Sequence, residues 1–331
     1  MNYMGIDVHS GSCEFAVINE SGNVLEQSSF QTSLENLIEV AEKVKKPLNI
    51  VFEEGELAGW LYRGLLGYAD DIVVADPVHN RLIYGSDQKS DKLDPVKLAN
   101  LLRGGFINRV HHSSDEHHIQ FKQTVLSYHD VSKQLTRFKN KLKSYYRKCG
   151  VIIRGQSIYN PDNRERYLSM LQDCMIVENY HGMVDFFIEK KDELEKMIKR
   201  ESRRYPQIKK FTTIPGVGII TAATFYAIIE TPHRFHNKQS LWSYAHLGKA
   251  SYESGDKERK RRQKKGNRLL KYVILQVITN SKRSRNNPFR KKYLDEVLIK
   301  KKDPRLAKRI SGRSLLTTMW TMWKNGESYK A

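Results

Sequence analysis

The hydrophobic pattern of the chain changes near residue 103, and this change is what most limits the possible folds. Before it, short apolar runs of strand length alternate with stretches of helical periodicity; after it, apolar residues recur about every third or fourth position in long polar segments. Strands first and long helices afterwards predict an α/β domain followed by a mainly helical region. With 331 residues, the chain is long enough for two or three compact units that each bury a core.

Three strand candidates open the chain, at residues 3–6, 13–18 and 24–30. Turn-forming residues separate the second candidate from the third, so an antiparallel three-stranded meander is expected. The pattern then predicts helices at residues 34–44 and 57–66 and strands at residues 48–52 and 72–75. We expect these elements to form a mixed α/β domain over residues 1–110.

Two long helical patterns follow, at residues 117–148 and 167–200, with breakers such as Gly155 and Pro161 between them. They predict an antiparallel helical hairpin over residues 111–205. The last region, residues 206–331, is expected to be mainly helical, with helices at residues 219–229, 241–247, 269–279 and 315–323. Trp320 and Trp323 fit one apolar helix face, which favours core packing over base stacking.

The net charge points to a polyanionic partner. The chain carries 57 Lys and Arg residues against 37 Asp and Glu residues, a formal charge of +20, and cations on a phosphate backbone gain free energy by releasing counterions. Nucleic acid is expected rather than a membrane, because no apolar run approaches the roughly 20 residues of a spanning helix. The N-terminus lacks the layout of a signal peptide, so a cytoplasmic protein is expected.

Cysteines and histidines give no pattern of a metal cluster. Cys13, Cys149 and Cys174 include no CxxC pair, and buried free thiols are expected. The paired histidines at positions 111–112 and 117–118 have no matching ligand cluster and are expected to be ordinary surface histidines.

Four acids in the N-terminal third form the first candidate site. Asp7 and Glu53 each end an apolar strand, and their carboxylates lie side by side if those strands are neighbours; Asp91 and Asp94 share a face if a helix already runs there. Mg²⁺ prefers such oxygen ligands and serves phosphoryl transfer. Singly, each acid is better explained as structural, a turn residue after a strand or, for Asp94 before Pro95, a helix N-cap. Their joint pattern favours a metal site.

A second candidate site lies in the C-terminal region. The segment 252–255, Tyr-Glu-Ser-Gly, precedes a basic run that is denser than a routine solvated helix face, so a phosphate-clamping role is favoured. Gly216 and Gly218 lie in an Ile-Pro-Gly-Val-Gly turn that either offers backbone N–H groups to a phosphate or is a tight packing turn; nucleic-acid contact is favoured. The cations of the run are Lys257, Arg259, Lys260, Arg261, Arg262, Lys264 and Lys265.

These two motif sets, in this order, resemble one known family. Residues 5–8 (Gly-Ile-Asp-Val), 50–53 (Ile-Val-Phe-Glu) and 89–94 (Lys-Ser-Asp-Lys-Leu-Asp) look like the DEDD motif of the bridge-RNA-guided insertion-sequence transposases, whose relatives include the Piv-type DNA invertases. Residues 214–218, Arg234-Phe235, Leu247-Gly248, 252–255 and 265–267 resemble the C-terminal transposase domain of the same family.

The resemblance implies a RuvC-like, ribonuclease-H-type N-terminal domain in which Asp7, Glu53, Asp91 and Asp94 hold Mg²⁺, with Mn²⁺ as the alternative ion. It implies that Ser254 is the nucleophile and forms a phosphoserine intermediate with DNA, which requires that its hydroxyl be activated. The implied partners are donor and target DNA, a guide RNA and further copies of the chain in a dimer or tetramer with composite sites. The implied location is the nucleoid of a bacterium or archaeon.

Three local departures from the family pattern bear on these assignments. Pro95 follows Asp94, so Asp91 is expected in a loop or in the first helical turn. Glu54 follows Glu53, and the strand position favours Glu53 as the metal ligand. A serine expected before the Lys-Gly-Asn segment is absent, which leaves Ser254 as the candidate nucleophile.

The leading hypothesis is therefore an RNA-guided recombinase that excises and inserts its own mobile element. Three alternatives remain open: a guide-independent Piv-like invertase, a RuvC-like structure-selective nuclease that uses the acids and water, and a non-catalytic nucleic-acid binder. Substitution of Ser254 separates the recombinase from the nuclease, and substitution of Asp7 or Glu53 tests the binder.

Overall fold

A computed structural model describes residues 1–77, 94–172, 175–248, 266–281 and 286–330, and the backbone of residues 252–254 and 257–259. Its contacts divide the chain into two compact units, Met1–Glu116 and His117–Ala331. Each unit has its own hydrophobic core among the described residues.

Unit 1 is built on a mixed β-sheet. Its described strands are β1 (Asn2–Val8), β2 (Cys13–Ile18), β3 (Val24–Phe30), β4 (Leu48–Glu53), β5 (Asp71–Ala75) and β6 (Arg109–Val110). They lie in the order β3-β2-β1-β4-β5-β6, with β1, β4 and β5 parallel and the other neighbours antiparallel. The predicted meander and the predicted later strands are confirmed. This mixed α/β architecture is compatible with a RuvC-like domain.

Helices cover both faces of this sheet. Helices α1 (Leu34–Lys43) and α2 (Ala58–Leu65) bury apolar side chains with β1, β2 and β4 on one face. Helix α3 (Pro95–Arg103) packs Leu98 and Leu102 against Val51 and Val73 on the other face. The parallel pairs β1–β4 and β4–β5 require crossover connections, which α1 and α2 supply. The acid-bearing strand ends therefore belong to a sheet that is buried on both sides.

Unit 2 contains the helical hairpin. Helix α4 (Glu116–Lys148) carries Leu142 and Tyr146 against Val177 and Val184 of helix α6 (Met175–Glu201). Helix α5 (Arg164–Leu168) lies in the connection, together with two short 3₁₀ turns at Ser157–Tyr159 and Pro161–Asn163.

The rest of unit 2 is a helical core. Phe121 and Val125 of α4 and Ile198 of α6 join a single apolar cluster with the C-terminal helices, so the base of the hairpin is continuous with that core. The C-terminal helices are α7 (Pro206–Phe211), α8 (Ile219–Ile229), α9 (Lys238–Tyr244), α10 (Arg268–Ser281), α11 (Pro288–Leu294), which runs into a π-helical turn at Asp295–Ile299, and α12 (Pro304–Asn325).

Several local predictions need correction. The second hairpin helix begins at Met175 and not at residue 167, because the apolar side chains of Tyr167, Leu168 and Leu171 reach the hairpin core from α5 and the turn after it. Cys149 is exposed at the end of α4, whereas Cys13 is buried as expected; Cys174 lies outside the described residues.

The expectation for the histidines was also partly wrong. His118 is 4% exposed and its Nε2 atom lies 3.2 Å from the Ala227 carbonyl oxygen, because the first turns of α4 pack into the core. The prediction for the tryptophans is confirmed: Trp320 is 8% exposed, and Trp323 stacks on Tyr226 at 4.8 Å between ring centroids.

Candidate catalytic site and nucleic-acid interface

Asp7 and Glu53 are brought together by the register of β1 and β4. These parallel strands pair Gly5 with Val51 and Ile6 with Phe52, so the next residues along, Asp7 and Glu53, are neighbours at the same sheet edge. Successive side chains alternate between the two faces of a strand. Gly5 and Asp7 thus share one face, and Val51 and Glu53 share it too, which is the face covered by α3.

Two further acids extend this row. Glu14 of β2 pairs directly with Asp7 across the antiparallel β1–β2 ladder, on the side away from Glu53. Asp76 follows β5 immediately, and its charge acts on Glu53. Like charges placed directly opposite in a sheet repel each other, so this edge concentrates negative charge on adjacent strands.

The pKa of Glu53 reports this crowding. It is raised above the ordinary glutamate value, first by burial of the carboxyl group and then by the negative charges of Asp7 and Asp76. Burial and like charges both disfavour the ionised form. A bound cation would reverse the electrostatic cost of holding these carboxylates together.

The two consecutive glutamates have different surroundings. Glu54 directs Oε2 to Nε2 of His112 at 2.6 Å, and His112 also lies against the Tyr62 ring at 5.6 Å between centroids. Glu53 is the one whose pKa is raised, first by burial and then by the charge of Asp7. Asp7 itself contacts His9, with 3.3 Å between Oδ2 and Nε2.

Asp94 stands at the start of α3. Its side chain caps the helix by accepting a hydrogen bond from the Val96 N–H at 2.9 Å, and Pro95 occupies the first helical position, as the N-cap alternative predicts. A Cβ built on Gly5 would lie 2.0 Å from the Pro95 carbonyl oxygen, so the first turn of α3 rests directly on β1. Since Gly5 and Asp7 share that face, Asp94 begins the helix over the acid row. Asp91 lies outside the described residues.

The acid row supplies the donor type of a hard divalent cation, namely carboxylate oxygens from neighbouring strands. Among the described residues, no group of three His, Cys, Asp or Glu side chains is arranged so as to hold a metal ion together. What the described residues supply is a pair of carboxylates of the right donor type, Asp7 and Glu53, at the ends of adjacent strands.

The Gly-rich turn of unit 2 joins two helices. Residues 212–218 link α7 to α8; the Val217 N–H donates to the Ile214 carbonyl, and Gly218 is the N-cap of α8. Gly216 has φ +88°, a value that favours glycine. Asn287, which is 1% exposed, donates from Nδ2 to the Pro215 carbonyl at 2.7 Å. The packing explanation thus accounts for Gly216. Helix α8 begins after Gly218, and the first N–H groups of a helix have no partner within the helix and suit anions.

Ser254 lies in a short antiparallel ladder. The backbone strands β7 (Tyr252–Ser254) and β8 (Lys257–Arg259) pair Ser254 with Lys257 and Tyr252 with Arg259. The side chains of this ladder and the whole of Lys260, Arg261, Arg262, Lys264 and Lys265 lie outside the described residues.

Sequence reasoning missed Glu14, Asp76 and the histidines His9 and His112. Asp76 carried the same signal as Asp7 and Glu53, an acid directly after a predicted strand. Glu14 and His112 carried no local signal, because Glu14 reaches Asp7 through strand pairing and His112 is 58 residues from Glu54 in the chain. His9 lies only two residues after Asp7, but it belongs to no predicted element.

Comparison with known proteins identifies the class of enzyme. Residues 4–149 match a family profile described as a transposase, the DEDD transposase of the IS110 type, and residues 208–294 match the transposase family IS116/IS110/IS902. The chain is 20% identical over 271 residues to the transposase for insertion sequence element IS1111A of Coxiella burnetii, an alignment that covers 77% of this chain and 70% of that protein. The enzyme is accordingly a DNA transposase or recombinase.

Within this class, the chain belongs to the IS110 family of DEDD transposases. Enzymes of the DEDD type typically use divalent metal ions and act on DNA. In the described part of the chain, no helix is long and apolar enough to cross a membrane.

Proposed function

We propose that this transposase is an RNA-guided recombinase that moves its own insertion element by means of metal-binding acids and a serine nucleophile. The observation that carries the proposal is the row of carboxylates at the edge of the unit 1 sheet, where Asp7 and Glu53 end adjacent parallel strands and Glu53 has a raised pKa. Mg²⁺ is the proposed ion and Mn²⁺ the alternative.

The acids have one shared role in this proposal. Asp7, Glu53, Asp91 and Asp94 would hold the divalent ion, which would supply positive charge to neutralise the phosphoryl group being transferred. Mutual repulsion among the described carboxylates favours cation uptake, because the ion removes the electrostatic cost of their proximity. Glu53 is proposed as a ligand rather than Glu54, since Glu54 is engaged with His112.

Ser254 is the proposed nucleophile. Its Oγ forms a bond to a DNA phosphorus atom while the bond to a deoxyribose oxygen breaks; the hydroxyl proton passes to a base and the leaving oxygen gains a proton. Attack by a DNA hydroxyl on the phosphoserine then restores the serine and joins the strands. An unassisted serine hydroxyl is a weak nucleophile, so this step depends on activation within the site.

The basic run from Lys257 to Lys265 and the helix start at Gly218 are proposed contacts for DNA phosphates. The formal charge of +20 supports a large polyanionic partner. A guide RNA that selects donor and target by base pairing, and assembly as a dimer or tetramer, complete the proposal.

Recombination in cells that carry the element with its flanking DNA tests the catalytic part. The variants are Asp7→Asn, Glu53→Gln and Ser254→Ala, and Glu54→Gln is the matched acid control. We expect the first three to lose recombinant product and the control to retain it. Recombination by Ser254→Ala would refute the phosphoserine step and favour a nuclease; recombination by Asp7→Asn and Glu53→Gln would refute the metal site.

RNA guidance has a separate test. The purified protein is expected to carry an RNA transcribed from the DNA flanking its gene, and changes in that RNA are expected to redirect insertion to the matching target. Insertion that proceeds at the same target after the flanking RNA is deleted would favour the guide-independent invertase.

A further inference from the structure

The described residues on either side of the segment that contains Ser254 contact each other in the helical core. The Asn267 N–H donates to the Tyr244 carbonyl at 2.6 Å, and a Cβ built on Gly266 would lie 2.8 Å from Cβ of His246. This approach is possible because glycine has no Cβ, and the φ of Gly266, +143°, is also a value that favours glycine. Residues 244–248 on one side and 266–268 on the other therefore lie together, and we call them the root of the segment 249–265.

Two arginines of α12 donate hydrogen bonds to the part of the root that precedes the Ser254 segment. The Arg313 guanidinium donates from Nε to the Leu247 carbonyl at 2.8 Å and lies over the Trp242 ring at 5.6 Å. Arg309, one turn earlier, donates from Nη2 to the Gly248 carbonyl at 3.3 Å. Both cations therefore contact the last described residues before the segment that contains Ser254.

Two cations of α10 lie in or next to the part of the root that follows the Ser254 segment. Asn267 caps α10 by accepting from the Leu270 N–H at 2.8 Å, which fixes Arg268 and Lys271 in its first turn. Helices α10 and α12 touch closely at Gly312, where a Cβ would lie 2.9 Å from Leu275. Because of this close contact, Lys271 in the first turn of α10 lies near enough to Arg309 of α12 for their charges to interact.

Four cations are thus gathered around the root without a carboxylate partner. The pKa of Lys271 is lowered by burial and then by the charges of Arg309 and Arg268, and the pKa of Arg313 is lowered by burial and then by Arg309. Within the described residues, no Asp or Glu forms an ion pair with any of the four. Partly buried like charges destabilise one another, and a bound polyanion removes that cost.

We infer that Arg268, Lys271, Arg309 and Arg313 form a phosphate-binding site that grips the DNA strand at the base of the serine-bearing segment. Arginine suits this ligand because its planar fork binds phosphate through two N–H groups. The inference rests on the proposed role of Ser254 as nucleophile.

Chain length limits how far this site lies from the nucleophile. Ser254 is six positions beyond Gly248, and a fully extended chain spans about 3.3–3.6 Å per residue, so Ser254 lies within roughly 20 Å of the root. Duplex DNA rises about 3.4 Å per nucleotide of a strand. The gripped phosphates are then within about six nucleotides of the one that Ser254 attacks, close enough to set its position.

Salt-dependent binding of the full-length protein tests the site. The probes are a labelled duplex DNA of arbitrary sequence and a labelled RNA hairpin, and the variants are Arg309→Gln and Lys271→Gln. Each loses a phosphate contact, so we expect weaker DNA binding and a decrease of about 0.9 in the slope of log K against log salt concentration. Arg305→Gln is the matched control, because it removes a charge from the exposed side of the same helix one turn away. Its slope is expected to equal that of the wild type.

Further variants separate a binding role from a structural one. Arg309→Lys keeps the charge and is expected to restore most of the slope, which a purely structural bond to Gly248 would not explain. Unaltered slopes in Arg309→Gln and Lys271→Gln would overturn the inference, as would a loss confined to the RNA probe. Ser254→Ala is expected to bind DNA like the wild type while losing recombination, so failure of the phosphate site and failure of the nucleophile give different results.

Discussion

Substitution of Gly5 by alanine tests whether the placement of α3 over the acid row matters. A Cβ at this position would lie 2.0 Å from the Pro95 carbonyl oxygen and 2.9 Å from the Ala99 nitrogen, and real Cβ contacts are essentially never under 3.0 Å. The obstructing atoms are backbone atoms of a helix, so the helix itself must move by at least about 1 Å. Asp94, the N-cap of that helix, moves with it.

Two quantities follow from this displacement. Overpacking of this kind costs typically about 1–3 kcal/mol of unfolding free energy. A misplacement of about 1 Å in a reacting assembly reduces rate by roughly 100-fold. We therefore expect Gly5→Ala to fold with reduced stability and to recombine DNA at roughly one hundredth of the wild-type rate, or less.

The assay combines urea unfolding of the purified protein with recombination of the native element. Gly11→Ala is the control, because its Cβ would meet no atom within 4 Å and Gly11 needs no left-handed backbone. A Gly5→Ala protein with wild-type stability and wild-type recombination would refute the close approach of α3 to β1 and the role assigned to Asp94.

Three further predictions concern single side chains. Glu53→Gln is expected to abolish metal-dependent recombination, whereas Glu54→Gln loses a partner of His112 and is expected to reduce stability but retain product; equal activity of the two would contradict the assignment. His129 has a pKa lowered to about 4 by burial and by Lys133. The unfolded chain therefore takes up that proton first, so stability is expected to fall by up to about 3 kcal/mol as the pH drops from 6.5 towards 4. His129→Gln should flatten this dependence in urea unfolding, and an unchanged profile would contradict the buried neutral state. Asn287→Ala removes a bond to the Pro215 carbonyl and the cap of α11, and is expected to cost about 2–3 kcal/mol by the same measurement.

Local patterns predicted β1, β2, β4 and β5 because these strands are short apolar runs bounded by turn residues or acids, whereas the two-residue strand β6 has no such pattern and was not predicted. The same patterns placed Asp7 and Glu53 at strand ends, and the pairing of Ile6 with Phe52 makes them neighbours. Periodicity failed at the second hairpin helix, since Tyr167 and Leu168 continue the apolar spacing while belonging to a separate short helix. Hydrophobic periodicity cannot distinguish one long helix from two helices joined by a turn when the apolar side chains of both pack into the same core.

Features that depend on tertiary contact were not predictable from the sequence. Glu14 joins the acid row through its pairing with Asp7. The root of the serine-bearing segment depends on Arg309 and Arg313, which are more than fifty residues beyond Ser254 in the chain. The position of Glu53 at the strand end already favoured it over Glu54 as the metal ligand. The contact between Glu54 and His112 supports the same choice, and it could not be predicted from a local motif.

The most direct test of the central claim is identification of the protein atom that becomes linked to DNA. The full-length protein is incubated with RNA transcribed from the DNA that flanks its gene, with donor and target DNA and with Mg²⁺, and the adduct is digested and sequenced by mass spectrometry. We expect a phosphodiester bond on the peptide that contains Ser254, and we expect this bond to be absent from Ser254→Ala, from Asp7→Asn and from reactions without the divalent ion. Recombinant product without any covalent adduct, or an adduct on another residue, would contradict it.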